Sequence, residues 1–388
     1  MSIGAGLNQG LGYVLGFIVA LVPLIALHEL GHMLVAKWAG VWVPEFGIGF
    51  PPRILHLFKW QETEFTLNWL PLGGFARMEG EGVMDEQAKE ATAEEDKRTP
   101  EEKEEARKHS LYTQPPGKRI LIYLAGPGTN LVIGWILAIL LFLTGGPVAD
   151  EVRVVFSEIA PNSPAAAAGL QAGDTVLAMN GQNVVVFEDV TDSIQAHLGQ
   201  PLTITVEREG EEHTVSLVPR ENPPPGEGAI GVILDGEVLS SHIEPYPVPQ
   251  AVRSGTQIFT TLVAQTVWLP VNLLRGLIPI QEARPIGIVN ISRIAYQSIQ
   301  QSAATGALFP ILNLLIVVSV GLGIFNLLPI PALDGGRILF TIIEKMRGGA
   351  LTPALQERAN MIAMLILLAL FAAVTVLDVM FPVMLPTP

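Results

Sequence analysis

The sequence predicts a polytopic α-helical membrane protein with four transmembrane helices, a membrane-associated β-hairpin region on the cytoplasmic side and one extracytoplasmic α/β domain. Three observations lead there. The 388 residues are 49% hydrophobic but only 15% charged, against about 25% charged in ordinary globular domains, and the mean hydropathy is +0.42. The apolar residues gather into runs long enough to span a hydrocarbon core, which takes about 20 residues of helix. The cations cluster on one side of those runs. A net charge of −14 argues against nucleic acid as a partner, because phosphate binding needs clustered Lys and Arg. Cysteine is absent, so any metal must be held by His and carboxylate. The first ten residues carry no positive region, so no cleavable signal peptide is expected.

The four expected spans are Leu11 to Trp38, Ile120 to Leu143, Leu308 to Leu328 and Met361 to Met380. Positive residues stay cytoplasmic. Of the 23 Lys and Arg, 12 lie between Lys37 and Arg119 and 4 between Arg337 and Arg358, whereas Gly146 to Gln250 holds only Arg153, Arg208 and Arg220. The last region also carries 16 acidic residues, nearly the whole imbalance, and reads as extracytoplasmic together with both termini. Ile258 to Ile280 is apolar enough to be a fifth crossing. Gln265, Pro270, Asn272 and Arg275 favour an interfacial or re-entrant amphipathic stretch instead.

Between the first two spans, Glu64 to Trp69 alternates so that Phe65, Leu67 and Trp69 share a face, the period of a strand. Asp85 to Lys108 is a run of Glu, Lys and Ala broken by Pro100 and reads as a solvated helix or linker. From Gly146 to Arg220 the pattern is a small α/β domain. Ser163 to Leu170 is a short helix with Pro164 in its first turn and Gly169 at its end. Thr175 to Met179 is a strand, Glu188 to Leu198 a helix, and Leu202 to Arg208 with His213 to Val218 a hairpin. The string SPAAAAGLQAGDTVLAMNGQ in this region is similar to the signature of bacterial PDZ domains, which implies a peptide or protein ligand bound by strand addition. Pro223, Pro224 and Pro225 then form a stiff linker. The segments are 1–40, 41–84, 85–117, 118–145, 146–220, 221–307, 308–340 and 341–388.

His28-Glu29-Leu30-Gly31-His32 closes the first span. On a helix, His28 and His32 lie one turn apart on one face and can converge on one ion, with Glu29 beside them as general base. The alternative, a pair of core histidines, must also account for three ionisable residues in an apolar helix, each costing several kcal/mol unless paired or functional. Catalytic zinc takes three protein ligands and leaves an open position. Asp334 is the best third candidate. It follows the third span in NLLPIPALDGG, where Pro329 and Pro331 break the helix, and it could instead serve as the N-cap of the next helix. His28 and His32 sit roughly 25–31 Å along a helix begun at Leu11, at the cytoplasmic end, and Asp334 ends its own span at the same level.

Asn130 and Asn326 could hydrogen-bond substrate backbone or a developing oxyanion, or join helices to one another. Gly126 and Gly128 allow close helix packing. Thr66, Leu67 and Asn68 could form an edge strand that holds an extended substrate, or simply pack the mouth of the site.

HELGH, Leu70-Pro-Leu-Gly-Gly-Phe75, Ala125-Gly-Pro-Gly-Thr-Asn130, one PDZ-like domain, Pro285-Ile-Gly-Ile288 and NLLPIPALDGG together resemble the site-2 protease family of intramembrane zinc metalloproteases. The resemblance implies that His28, His32 and Asp334 bind Zn2+ and that Glu29 activates water. It implies substrates that are single-span membrane proteins, trimmed beforehand by another protease, in a bacterial inner (plasma) membrane. The role would be regulated intramembrane proteolysis, for example of an anti-sigma factor, or clearance of signal-peptide remnants. The rival reading is a catalytically silent, PDZ-bearing membrane scaffold, which would have no need to keep both a ligand set and a general base.

Overall fold

A computed structural model describes residues 3–80, 99–224, 227–277 and 286–381. The chain forms two units, one of residues 1–144 and 246–388 and one of residues 145–245. The elements begin with α1 (Ile3–Ala39), β1 (Glu45–Trp60), β2 (Thr63–Arg77), α2 (Pro100–Lys108) and α3 (Pro116–Gly145). Then come β3 (Gly146–Ile159), α4 (Pro164–Ala167), β4 (Thr175–Met179), β5 (Gln182–Asn183), α5 (Phe187–Ala196), β6 (Leu202–Arg208), β7 (Glu211–Leu217) and β8 (Val232–Glu244). The chain ends with α6 (Val248–Leu274), α7 (Ile288–Thr305), α8 (Phe309–Asn326), α9 (Asp334–Arg347) and α10 (Pro353–Met380). Asp85 to Arg98 of the expected acidic linker, and Pro285 of the PIGI string, lie outside the described residues. The rest of the linker is α2, started by a capping box in which Thr99 and Glu102 satisfy each other's backbone N–H.

Five described helices, not four, have the length and composition to cross a membrane: residues 10–39, 116–145, 248–274, 309–326 and 354–380. The added one is α6, which absorbs most of the stretch expected to be interfacial. Phe259, Leu262 and Val263 of α6 pack against a core formed by Ala138 and Leu141 of α3 with Leu312, Ile316 and Val320 of α8. The expectation of four rested partly on level, since a fifth crossing would carry Asp334 to the wrong end of its span. That argument assumed no return path. α7 is a return path: Gly16 of α1 meets Ser292, and Gly12, one turn earlier, meets Tyr296, one turn later, so α7 runs antiparallel to α1. α7 is polar, and its hydropathy does not mark it as a span. Its Asn290, Ser292 and Ser298 are buried against its neighbours rather than facing lipid.

The hairpin of β1 and β2 is more elaborate than two strands. Residues 53–60 pair with 63–68, residues 45–48 lie beside 64–67, and 74–77 pair back onto 45–48 in antiparallel register. Four short segments therefore form one sheet, with 63–68 inside it and 73–77 at one edge. Phe46, Ala76 and Met78 join Met33 and Ala36 of α1 and Ile122 and Tyr123 of α3 in a buried core. Phe50, Leu55, Phe58, Trp60 and Trp69 remain exposed, an apolar rim suited to a membrane interface.

The second unit is a sheet in the order β7-β6-β4-β3-β8, closed over Val154, Phe156, Val176, Val190, Ile204 and Ile230. β8 lies at the end of that order, an edge strand. Asp174 is buried, and Arg208 Nε and Nη2 donate to its two oxygens at 2.7 Å while the Gln171 N–H donates at 2.8 Å. Burial by itself would raise the Asp174 carboxyl, but these donors hold it below the ordinary carboxylate value. A depressed folded-state value means stabilisation that is present above the unfolded value, about 3.9, and is lost as pH falls through the folded one. Asp174→Asn should therefore lower the unfolding midpoint of this unit by a few degrees at pH 7. The gap from wild type should close as pH is taken below 3; melts at both pH values that show the same gap would contradict the assignment.

Candidate metal centre

Inside the first unit, α1 carries His28 and His32 one turn apart, both buried. The loop after α8 brings Asp334 to them. His28 Nε2 is 3.1 Å from Asp334 Oδ2, His32 Nε2 is 3.3 Å from the same oxygen, and the two Nε2 atoms are 3.2 Å apart. Ligands at about 2.0–2.1 Å in tetrahedral array around zinc stand roughly 3.3–3.4 Å from one another. The triangle has almost those edges. Two imidazole nitrogens and a carboxylate oxygen turned toward one point repel unless a cation lies between them, and among the described residues this is the one converging group of three His, Cys, Asp or Glu.

Backbone makes room for that point. A Cβ on Gly126 of α3 would press on His32 Nε2 and stand 2.7 Å from His28 Nε2, so the missing side chain leaves the space before both nitrogens open. Packing was the expected role for Gly126; clearing the centre is the further one. Gly31, inside HELGH, lets α1 close on α3, where a Cβ would stand 2.8 Å from Ala125 O. Gly335 and Gly336 do the same on the other side, pressed against the carbonyls of Leu327, Leu328 and Ile330 in the turn that Pro329 and Pro331 enforce. Asp334 is the first residue of α9 and not its cap, which is Leu333. Its carboxylate sits where the helix dipole favours negative charge.

The outer nitrogens are also engaged. His32 Nδ1 donates to Ile122 O at 2.8 Å, which fixes the tautomer that leaves Nε2 free. His28 Nδ1 lies 3.1 Å from the side-chain amide of Asn130, and the backbone carbonyl of Asn130 accepts from Ser319 Oγ of α8 at 2.8 Å. Asn326 Nδ2 donates to Leu322 O one turn back in α8.

Glu29 lies beside the triangle and accepts from the Ala76 N–H at 3.1 Å. Next to it opens a cavity of about 250 Å³ walled by Ile25, His28 and Glu29 of α1, Phe50, Gly73 and Gly74 of the hairpin, Asn130 of α3 and Leu322 and Asn326 of α8. A strand's two-residue period turns the backbone N–H and C=O of Gly74 to the same side as Ala76. The edge facing the site is therefore 73–77. Thr66, Leu67 and Asn68 cannot offer one: Thr66 has Gly47 on one side and His56 on the other, Leu67 has Ile48 and Leu55, and Asn68 is buried with its amide donating to Gly49 O. The alternation of Glu64 to Trp69 marked a real strand, but period two cannot distinguish an inner strand from an edge. The glycines of Leu70-Pro-Leu-Gly-Gly-Phe75 were the better signal, since they permit close backbone approach.

In the second unit, a groove of about 350 Å³ runs between Thr191, Ile194 and Leu198, at and just beyond α5, and Val232 and Leu234 of β8. The Gly228–Ile230 turn and Arg220 also line it.

Residues 16–370 match peptidase family M50. The chain is 33% identical over 377 residues to an Agrobacterium fabrum protein named as a zinc metalloprotease, Atu1380, covering 95% of this chain and 96% of that one. It is 30% identical to the zinc metalloprotease RasP of Geobacillus kaustophilus (94% and 97% covered), and 28% identical to an Enterococcus faecalis protein named as the protease eep (94% and 98%). The chain belongs to peptidase family M50, the site-2 proteases, and is a zinc-dependent membrane metalloendopeptidase.

Proposed function

We propose that the protein hydrolyses peptide bonds within the transmembrane segments of single-span membrane proteins, with His28, His32 and Asp334 holding the zinc and Glu29 as general base. The observation that carries the reading is the triangle of 3.1–3.3 Å edges with Glu29 alongside, at the wall of a cavity inside apolar helices. A silent scaffold has no use for that convergence. Zinc bound there supplies a Lewis acid that lowers the pKa of water toward neutrality. Glu29 takes the proton from the attacking water and returns it to the leaving amine nitrogen. The carboxylate is held for both transfers by its hydrogen bond from Ala76.

A transmembrane helix has its carbonyls bonded internally, so a scissile segment must unwind, and unwound backbone in a membrane needs new partners. In this reading the 73–77 edge supplies them, with Gly74 aligned to the extended substrate beside Glu29. Asn130 and Asn326 stand across the cavity.

The proposed topology places both termini and the 145–245 unit outside and the zinc site toward the cytoplasm of a bacterial inner membrane. α6 runs inward and α7 returns within protein. The acidic outer unit then binds an extracytoplasmic peptide along the β8 edge, its end near Gly228 and Arg220, as a gate for substrates already trimmed.

Three results are expected. Glu29→Gln, reconstituted with a transmembrane substrate, should lose at least 100-fold in kcat while retaining stoichiometric zinc; cleavage at the wild-type rate would end the general-base assignment. Substrate peptides N-methylated one position at a time should lose binding at alternate positions, the signature of pairing to an edge strand; uniform losses would favour another mode. Because the chain lacks cysteine, single cysteines can report sidedness. Leu277→Cys should label only from the cytoplasmic side and Pro247→Cys only from outside, and labelling of both from outside would return α6 to the interface.

A further inference from the structure

The two metal-facing histidines are held differently. His32 Nδ1 has a backbone acceptor, Ile122 O. Among the described residues His28 Nδ1 has only the Asn130 carboxamide, 3.1 Å away at its Nδ2 end, while Asn130 Oδ1 is buried with no hydrogen-bond partner. Asn130 is fully buried. A neutral imidazole that offers Nε2 to a metal carries its proton on Nδ1, so Nδ1 is a donor and needs an acceptor. Two donors then face each other, and an acceptor is stranded beside them. A half-turn of the carboxamide exchanges Oδ1 and Nδ2 without changing its shape and ends the donor–donor opposition at His28. Oδ1 then accepts from His28 Nδ1–H.

We infer that Asn130 is the residue that orients His28 for the metal, the side-chain counterpart of the Ile122 carbonyl at His32. The inference rests on the proposed ligand set. Its place in the fold supports the role: Asn130 is fixed from the far side, since its backbone carbonyl accepts from Ser319 Oγ of α8 at 2.8 Å. The acceptor for His28 is thus tied to the helix that leads into the Asp334 turn. Asn130 is a positioning residue, acting through His28 on the metal.

The test is zinc affinity in the full-length protein, measured by competition with a chromophoric chelator and accompanied by the d–d spectrum of the cobalt-substituted protein. Asn130→Leu keeps the volume and removes the acceptor, and should weaken zinc binding 10- to 100-fold and shift the cobalt bands. Asn130→Asp restores an acceptor and should bind within a few-fold of wild type. Ser319→Ala loosens the same helix contact but leaves the carboxamide, and should weaken binding several-fold less than Asn130→Leu does. Wild-type affinity in Asn130→Leu, an Asn130→Asp variant as weak as Asn130→Leu, or an equal loss in Ser319→Ala would each overturn the inference. If the wild-type protein bound no stoichiometric zinc, the ligand set itself would fall, a different and separately visible failure.

Discussion

Everything else in the first unit is arranged around three polar atoms that cannot be left alone. His28 Nε2, His32 Nε2 and Asp334 Oδ2 converge from residues about 300 apart in the chain, and the other buried residues of α1 are apolar or glycine. In hydrocarbon surroundings each would cost several kcal/mol unpaired, and their mutual approach makes sense only around a cation. That requirement explains features that look unrelated along the sequence. Gly126 clears the space in front of the nitrogens, Gly31 lets the two helices close, and two prolines bend the chain after α8 so that an aspartate can reach back. A cluster of this kind is costly to assemble without a use, which is why its geometry weighs more than the motif.

The second constraint is that a hydrolase inside a membrane must admit water and an unwound peptide while keeping lipid out. The hairpin addresses both. It exposes Phe58, Trp60 and Trp69, side chains at home in an interface, and its 73–77 edge brings peptide groups to the wall of the cavity. Gly73 and Gly74 are needed there because bulk at either would meet Phe50 or the Gly47 carbonyl and push the edge away from Glu29. The same glycines that place the edge also leave its backbone accessible, so in the proposed reading support and recognition come from one segment.

The proposed chemistry was legible in the sequence because it is written locally. His28 and His32 share a helical face at a spacing of four, and Asp334 follows two prolines that must end a helix. The whole-chain resemblance then joined the two ends. What was not legible depends on partners supplied from far away. Thr66 to Asn68 alternates like any half-buried strand, and only the return of residues 74–77 onto 45–48 makes it an inner one. The helix α7 is too polar to read as a membrane element, because its Asn290 and Ser292 are buried by α1 and by α10, which supplies Asp378 to Asn290 and Gly287. Without it the count of crossings came out at four. Asn130 was singled out for the substrate, yet its side chain meets His28.

Asp334 also has to be held still, and α9 shows how. The helix is 14 residues, about 21 Å at 1.5 Å per residue, with the Asp334 carboxylate at one end. Near the other, Glu344 is buried and bonded to Arg119 of α3 at 2.8 Å, to the Leu351 N–H at 3.1 Å and to Gln356 of α10 at 2.9 Å. Arg119 in turn lies over the Tyr112 ring. A buried ion pair adds little to stability compared with apolar residues of the same volume, but breaking one by removing a partner costs about 3–5 kcal/mol. Such a pair therefore tolerates few alternative arrangements. Since α3 also carries Gly126 and Asn130, the pair ties the helix that presents Asp334 to the helix that shapes the space for the metal and orients His28. The Ala332 N–H, donated to Asn360 Oδ1 of α10 at 3.0 Å, secures the near end. Fixed at both ends, α9 brings Asp334 to the histidines as part of a rigid element rather than as a loop, which is what a ligand separated from its partners by about 300 residues requires.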